Sequence, residues 1–123
     1  MTDTTPTLSP SLYKLADLDA KPFSPRGCSP NELFNDLTGA SMSGGVVYFR
    51  DSELPFTVWY DEILFCHACE DLFEVVVGDV THRLEPGDTI WLPAGTELIY
   101  RSKGLATAFF AITPAGWASN PPA

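Results

Sequence analysis

The sequence predicts an all-β domain, a sandwich or barrel of short strands with one short helix ahead of it. Three observations predict it. From residue 44 onward, runs of β-branched and aromatic residues recur about every 8–12 residues, with turn residues between them. Residues 86–95, Pro-Gly-Asp-Thr-Ile-Trp-Leu-Pro-Ala-Gly, set two turn signals around a four-residue strand core, Thr89–Leu92. Of the 123 residues, 45% are hydrophobic and 12% aromatic, enough for one core closed without staples.

Residues 1–11 are rich in Thr, Ser and Pro and read as a mobile tail. Residues 12–18 fit either a short strand or a turn. Residues 21–30 carry three prolines and a glycine, which argues against a regular element. Ser29 then reads as a helix N-cap, Pro30 as the first helical position and Glu32 as the capping-box partner. The helix is expected over residues 30–37, with Leu33, Phe34 and Leu37 on one face and Gly39 as its stop. Strands are expected at 45–50, within the long β-rich run 56–69, and at 73–77, 80–84, 89–92, 97–101 and 105–113. Turns fall at 51–53, 70–71, 78–79 and 102–104, and Gly78-Asp79 is a hairpin signal. The run 105–113 is strongly apolar and is placed centrally. Residues 114–117 leave the sheet, and 118–123 are a polar, proline-ended tail. There is no internal repeat.

Seven basic residues against sixteen acidic ones give a formal charge of −9, which argues against nucleic acid and anionic membranes as partners. No apolar stretch approaches the roughly 20 residues of a membrane span. The N-terminus is polar and lacks the apolar run of an export signal. With three cysteines, an odd number, a reducing cytoplasmic location is expected.

Tyr60-Asp61-Glu62-Ile63 with Pro55-Phe56-Thr57-Val58 before it, Gly87-Asp88 through Pro93-Ala94-Gly95, and Pro114-Ala115-Gly116-Trp117 form a recognisable set. Over about residues 45–117 they resemble the cupin superfamily, in particular the cupin domain of the ethanolamine-utilisation protein EutQ. The resemblance implies a double-stranded β-helix, the cupin jelly-roll barrel, over a single domain at residues 29–117. Residues 1–28 would be a mobile or irregular segment ahead of it. It also implies a homodimer and a link to ethanolamine or acetate metabolism. Some EutQ proteins are described as acetate kinases, and that activity is implied here by resemblance alone. Cupins hold a divalent metal with the histidines and carboxylate of Gly-x5-His-x-His-x3–4-Glu-x6-Gly and the histidine of Gly-x5-Pro-x-Gly-x2-His-x3-Asn. With Glu62 at the motif carboxylate, Thr57 or Val58 stands at the second histidine and Pro55 or Phe56 at the first. Leu98 stands at the histidine of the second motif, and Cys69 at the turn glycine. The usual metal site is therefore expected to be missing, and no cofactor is expected.

Strand alternation puts Tyr60, Glu62, Leu64 and Cys66 on one face, Leu98 and Tyr100 on one face of their strand, and Thr89 and Trp91 on one face of theirs. A carboxyl among apolar side chains is pushed toward neutral pH, which suits proton transfer. Glu62 and Tyr60 are the catalytic candidates; Tyr100, Trp91, Leu98, Tyr48 and Phe56 are the substrate-binding candidates. The plainer reading of Glu62 is a hydrogen bond to a neighbouring strand or a place at the rim, and of Tyr60 simple packing. Cys66-His67-Ala68-Cys69 suggests a metal, but residues three apart on a strand face opposite sides unless a bulge intervenes. If a metal is bound, Glu62, His67, Cys66 and Cys69 are its ligand candidates; a packed His67 is the plainer reading. His82 is expected to be exposed, and Cys28 carries no signal. There is no Gly-x4-Gly-Lys-Ser/Thr loop, and Arg50, Arg83, Arg101 and Lys103 read as solvated charge.

The leading expectation is a metal-independent cupin of lyase or isomerase type acting on a small molecule in the barrel. The alternatives are an acetate kinase-like or accessory protein of ethanolamine or acetate metabolism, and a non-catalytic dimeric binding module whose barrel is filled by Trp59, Trp91 and Phe110.

Overall fold

The computed structural model describes residues 9–117. Among them nine strands form: β1 (Cys28–Phe34), β2 (Ser43–Arg50), β3 (Glu53–Thr57), β4 (Asp61–Cys69), β5 (Leu72–Val77), β6 (Val80–Arg83), β7 (Thr89–Leu92), β8 (Glu97–Lys103) and β9 (Leu105–Thr113). They make a five-stranded sheet in the order β1-β2-β9-β4-β7 and a four-stranded sheet in the order β3-β8-β5-β6. Every pairing is antiparallel, and the two sheets enclose one core as a jelly-roll barrel. No helix among the described residues is long and apolar enough to cross a membrane.

β9 pairs with β2 and β4 along its whole length, the central place its apolar sequence predicts. Its inward Ala106 and Ala108 are small and fully buried. They leave room at one end of the barrel for Phe49 and Phe73, whose rings stack at 5.2 Å. The other end is not filled. Gly78 turns the β5–β6 hairpin at φ 58°, where a side chain would be strained.

The expected helix over 30–37 is a strand instead. Only its last residues coil, as a 3₁₀ turn at Asp36–Thr38, capped by the Asn35 side chain, which accepts from Leu37 N. The reason is tertiary. Ser29 does not cap; its hydroxyl donates to Lys21 O at 2.6 Å. Asn31 Oδ1 accepts from Lys21 N at 2.9 Å, and Asn31 Nδ2 donates to Ser29 O at 2.8 Å. Pro30 is tolerated because β1 is an edge strand and needs no donor on its open side. Strand order thus begins at Cys28, inside the stretch expected to be irregular. The β-rich run 56–69 is also interrupted: Val58 N donates to Thr96 O and Gly95 N to Val58 O, which takes residues 58–60 out of the sheet. Residues 12–18 contain the 3₁₀ turn Leu15–Asp17 rather than a strand. The expected tail at 118–123, and most of the one at 1–11, lie outside the described residues.

Candidate functional site

The unfilled end of the barrel is a cavity of about 400 Å³. β4 supplies Glu62 and Leu64, β8 supplies Tyr100, and β9 supplies Phe110 and Ile112. β3 adds Phe56, and the chain on either side of the sheet adds Tyr60 and Trp117. β1 contributes Cys28 and Glu32, with Lys21 beside it at the mouth. Trp59 Nε1 donates to Trp117 O at 2.8 Å and pins the segment after β9 against the mouth. The Trp117 ring then lies 4.7 Å from Tyr60 and 5.4 Å from Trp59.

Glu62 is 6% exposed. Its Oε1 accepts a hydrogen bond from Tyr100 Oη at 3.0 Å. Burial pushes the carboxyl up to about 7, against the opposing pull of the Tyr100 bond. The Tyr60 phenol is held above its ordinary range by burial and then by the Glu62 charge, with smaller effects of Cys28 and Glu32. Tyr100 is raised for the same two leading reasons. Both phenols therefore keep their protons at neutral pH, while Glu62 stands between its two forms. Burial, then Glu62, raises the Cys28 thiol to about 11, so it stays protonated.

Glu62, Tyr60, Tyr100 and Phe56 line this one cavity. Leu98 shares the inner face of β8 with Tyr100 but is packed in the core, 5% exposed, and does not line it. Two further expectations are corrected. Tyr48 alternates with Val47 and Phe49, which take the inner face of β2, so Tyr48 points away. Trp91 alternates with buried Leu92, pairs with Ile63 on the outside of the sheet and is 63% exposed. Alternation had shown which residues share a face, not which face is inner. Glu32 and Cys28 were missed, because a helix and a loop had been read where β1 runs. Hydrophobic alternation gave no signal there, because the buried residues of β1 are the polar Ser29 and Asn31 while Pro30 is exposed. Trp117 belonged to a quoted motif but had been given no role.

The residues do not fit the metal that cupins hold. Phe56, Val58 and Leu98, at or beside the histidine positions, are apolar and offer no ligand. β4 does carry a bulge between Cys66 and Ala68, and it turns Cys66 and Cys69 toward the inward residues Ala108 and Ala106. The expected obstacle to a Cys66–Cys69 pair is thus removed. The third ligand is still missing: His67 packs on Phe109, 5.3 Å between ring centroids, outside the barrel. Among the described residues no group of three His, Cys, Asp or Glu side chains could hold a metal ion. Three of the four surface cations are engaged elsewhere: Arg101 with Glu53 at 3.0 Å, Arg83 with Glu85 at 3.2 Å, and Arg50 over the Phe23 ring at 4.8 Å.

The family model described as ethanolamine utilisation protein EutQ matches residues 13–119. The chain belongs to the EutQ family. Among solved structures it is similar to the EutQ protein of Clostridium difficile, at 19% identity and a TM-score of 0.68, over 76% of this chain and 67% of that one. It is similar to a putative ethanolamine utilization protein Q of Salmonella typhimurium LT2, at 23% identity and a TM-score of 0.65, over 72% and 70% of the two chains. An RmlC-like cupin of Shewanella frigidimarina NCIMB 400, 15% identical, superposes with a TM-score of 0.67 over 87% of this chain and 93% of that one. At these identities the likeness is one of fold, and it identifies the barrel as a cupin jelly roll. The sequence matches no curated protein.

Proposed function

We propose that this EutQ-family protein binds a small organic molecule in the barrel and transfers a proton to or from it through Glu62, with no metal. The observation that carries this reading is the Glu62–Tyr100 pair: a carboxyl poised at about 7, one oxygen held by a phenol, at the wall of a cavity. Tyr100 fixes Oε1, which leaves Oε2 to meet the substrate. The ionised carboxyl takes a proton from a C–H beside a carbonyl, and the bonding pair moves toward the carbonyl oxygen. The protonated Tyr60 phenol, in the same wall, donates a hydrogen bond to the charge that develops there. Returning the proton to the opposite face of the same carbon is an isomerase step; expelling a group from the next carbon, which leaves with the proton, is a lyase step. Neither needs a further reactant.

Deuterium exchange in heavy water tests the reading without knowledge of the final product. Small carbonyl compounds incubated with the protein are expected to lose their acidic C–H signals, and Glu62→Gln is expected to stop this while the fold persists. Exchange undiminished in Glu62→Gln would remove Glu62 as the proton carrier.

Acetate phosphorylation is less well supported. It requires cations around a nucleotide's phosphates. The cavity lining has Lys21 alone of that sign, against Glu32 and Glu62.

A second reading concerns assembly. The outer face of β4 and β7 presents Ile63 at 48% exposure and Trp91 at 63%, with Met42 alongside at 39%. Such an apolar strip fits the homodimer implied by the resemblance. Light scattering at micromolar concentration should give twice the chain mass; a monomer there would contradict it.

A further inference from the structure

The proposed function leaves open what kind of molecule enters the barrel. The charges around the cavity are one-sided. Two carboxyl side chains line it, from two strands of the five-stranded sheet: Glu32 on the edge strand β1 and Glu62 on the interior strand β4. One exposed lysine, Lys21, stands at the mouth. Each carboxyl has an oxygen for which no hydrogen-bond partner is found among the described residues. Oε2 of Glu32 is buried and has no hydrogen-bond partner among the described residues. Tyr100, on Oε1, is the one partner of the Glu62 side chain among them. A buried carboxylate oxygen of this kind is costly while charged, and a cation in the cavity beside it lowers that cost. Both carboxyls line the same space as Tyr60.

The rest of the wall is aromatic. Phe56, Tyr60, Tyr100, Phe110 and Trp117 line the space. Their faces carry partial negative charge and attract cations within about 6 Å, most strongly when water is excluded. Aromatic rings with carboxylates form a surface for a weakly hydrated organic cation, and a poor one for an anion.

Glu32 is held at the cavity by a local device. β1 bulges between Glu32 and Phe34 against the paired glycines Gly44 and Gly45 of β2. A Cβ on Gly45 would overlap the Asn31 carbonyl oxygen. The glycine thus lets β1 approach closely just where Glu32 lines the space.

We infer that the cavity takes small organic ammonium compounds, with the cationic head set by Glu32 and Glu62 against the aromatic wall. This deepens the proposed function and rests on its claim that a small molecule enters the barrel. It adds Glu32 as a binding residue, while the proton step stays with Glu62.

The test compares choline with its uncharged isostere, in which a tert-butyl group replaces the trimethylammonium head, and with acetate. Binding to the full chain is read by quenching of tryptophan fluorescence and by titration calorimetry. Choline is expected to bind at millimolar concentration or tighter, with the isostere and acetate weaker by about tenfold or more. Glu32→Gln is expected to remove most of that preference while circular dichroism stays unchanged. Should Glu32→Gln fail to fold, the comparison of choline with its isostere on the unaltered chain still decides the matter. Equal binding of the isostere or of acetate would overturn the cation assignment and leave a small-molecule cavity standing. No binding of choline at tens of millimolar would also overturn it. Heavy-water exchange of uncharged carbonyl compounds, lost in Glu62→Gln, reports on the proton step separately, so the two failures are distinguishable.

Discussion

The Tyr100 hydroxyl donates to Oε1 of Glu62 across the barrel, 3.0 Å from a strand of one sheet to a strand of the other. The bond opposes burial: desolvation drives the Glu62 carboxyl up, and the phenol holds it back to about 7. Tyr100→Phe removes the restraint and keeps the ring. The Glu62 titration is therefore expected to move further up, and the pH dependence of any proton exchange to move with it. The variant should also lose about 1–3 kcal/mol of stability, because a buried acceptor loses its donor. Urea denaturation and carboxyl titration by nuclear magnetic resonance check the two effects. An unchanged Glu62 midpoint would show that the bond does not tune it.

Glu62 also makes stability depend on pH, and the sign follows from its shift. Its folded value, about 7, lies above the ordinary 4.5, so between these values the folded chain holds a proton that the unfolded chain has released. This contribution is fully present below about 4.5 and is lost as pH rises through about 7. It is of the order of 3 kcal/mol. Stability attributable to Glu62 therefore falls as pH rises across that window. Glu62→Gln is expected to flatten this part of the profile, measured as the urea midpoint at successive pH values. A variant with the same slope as the unaltered chain would place the proton elsewhere.

Much of this was legible in the sequence, for identifiable reasons. β7 and β9 match their expected bounds because turn residues stand at both ends of each. Alternation was enough to group Tyr60, just ahead of β4, with Glu62, Leu64 and Cys66 on β4, and all four are buried. The Tyr100 partner was not legible, because 38 positions separate it from Glu62 and they meet only when two sheets close. β1 was hidden for a similar reason. Ser29-Pro30-Asn31-Glu32 is a sound local helix start, but Ser29 and Asn31 satisfy their polar groups on Lys21, eight and ten positions back. Reading a helix there hid Glu32 as well. Trp91 was assigned inward for want of knowing which side of β7 faces solvent.

Gly45 ties the fold to the site. Gly45→Ala would drive a methyl group into the Asn31 carbonyl and push β1 off β2. The expected cost is about 1–3 kcal/mol by urea denaturation. Hydrogen exchange should rise at the amides of β1 more than at those of β9. Stability and exchange equal to those of the unaltered chain would mean that the close approach of β1 is not needed.

Trp91 separates the outer face from the cavity. Trp91→Glu is expected to leave ligand binding unchanged and to shift the light-scattering mass toward a single chain. Loss of binding with no change of mass would return Trp91 to the site.

The central claim is that Glu62 holds a proton near neutral pH inside the barrel. The most direct measurement is the titration of its side-chain carboxyl by nuclear magnetic resonance on isotope-labelled protein, assigned with Glu62→Gln. The account requires a midpoint near 7. A midpoint at the ordinary 4.5 would make Glu62 a plain carboxylate at working pH and would contradict its role in moving a proton.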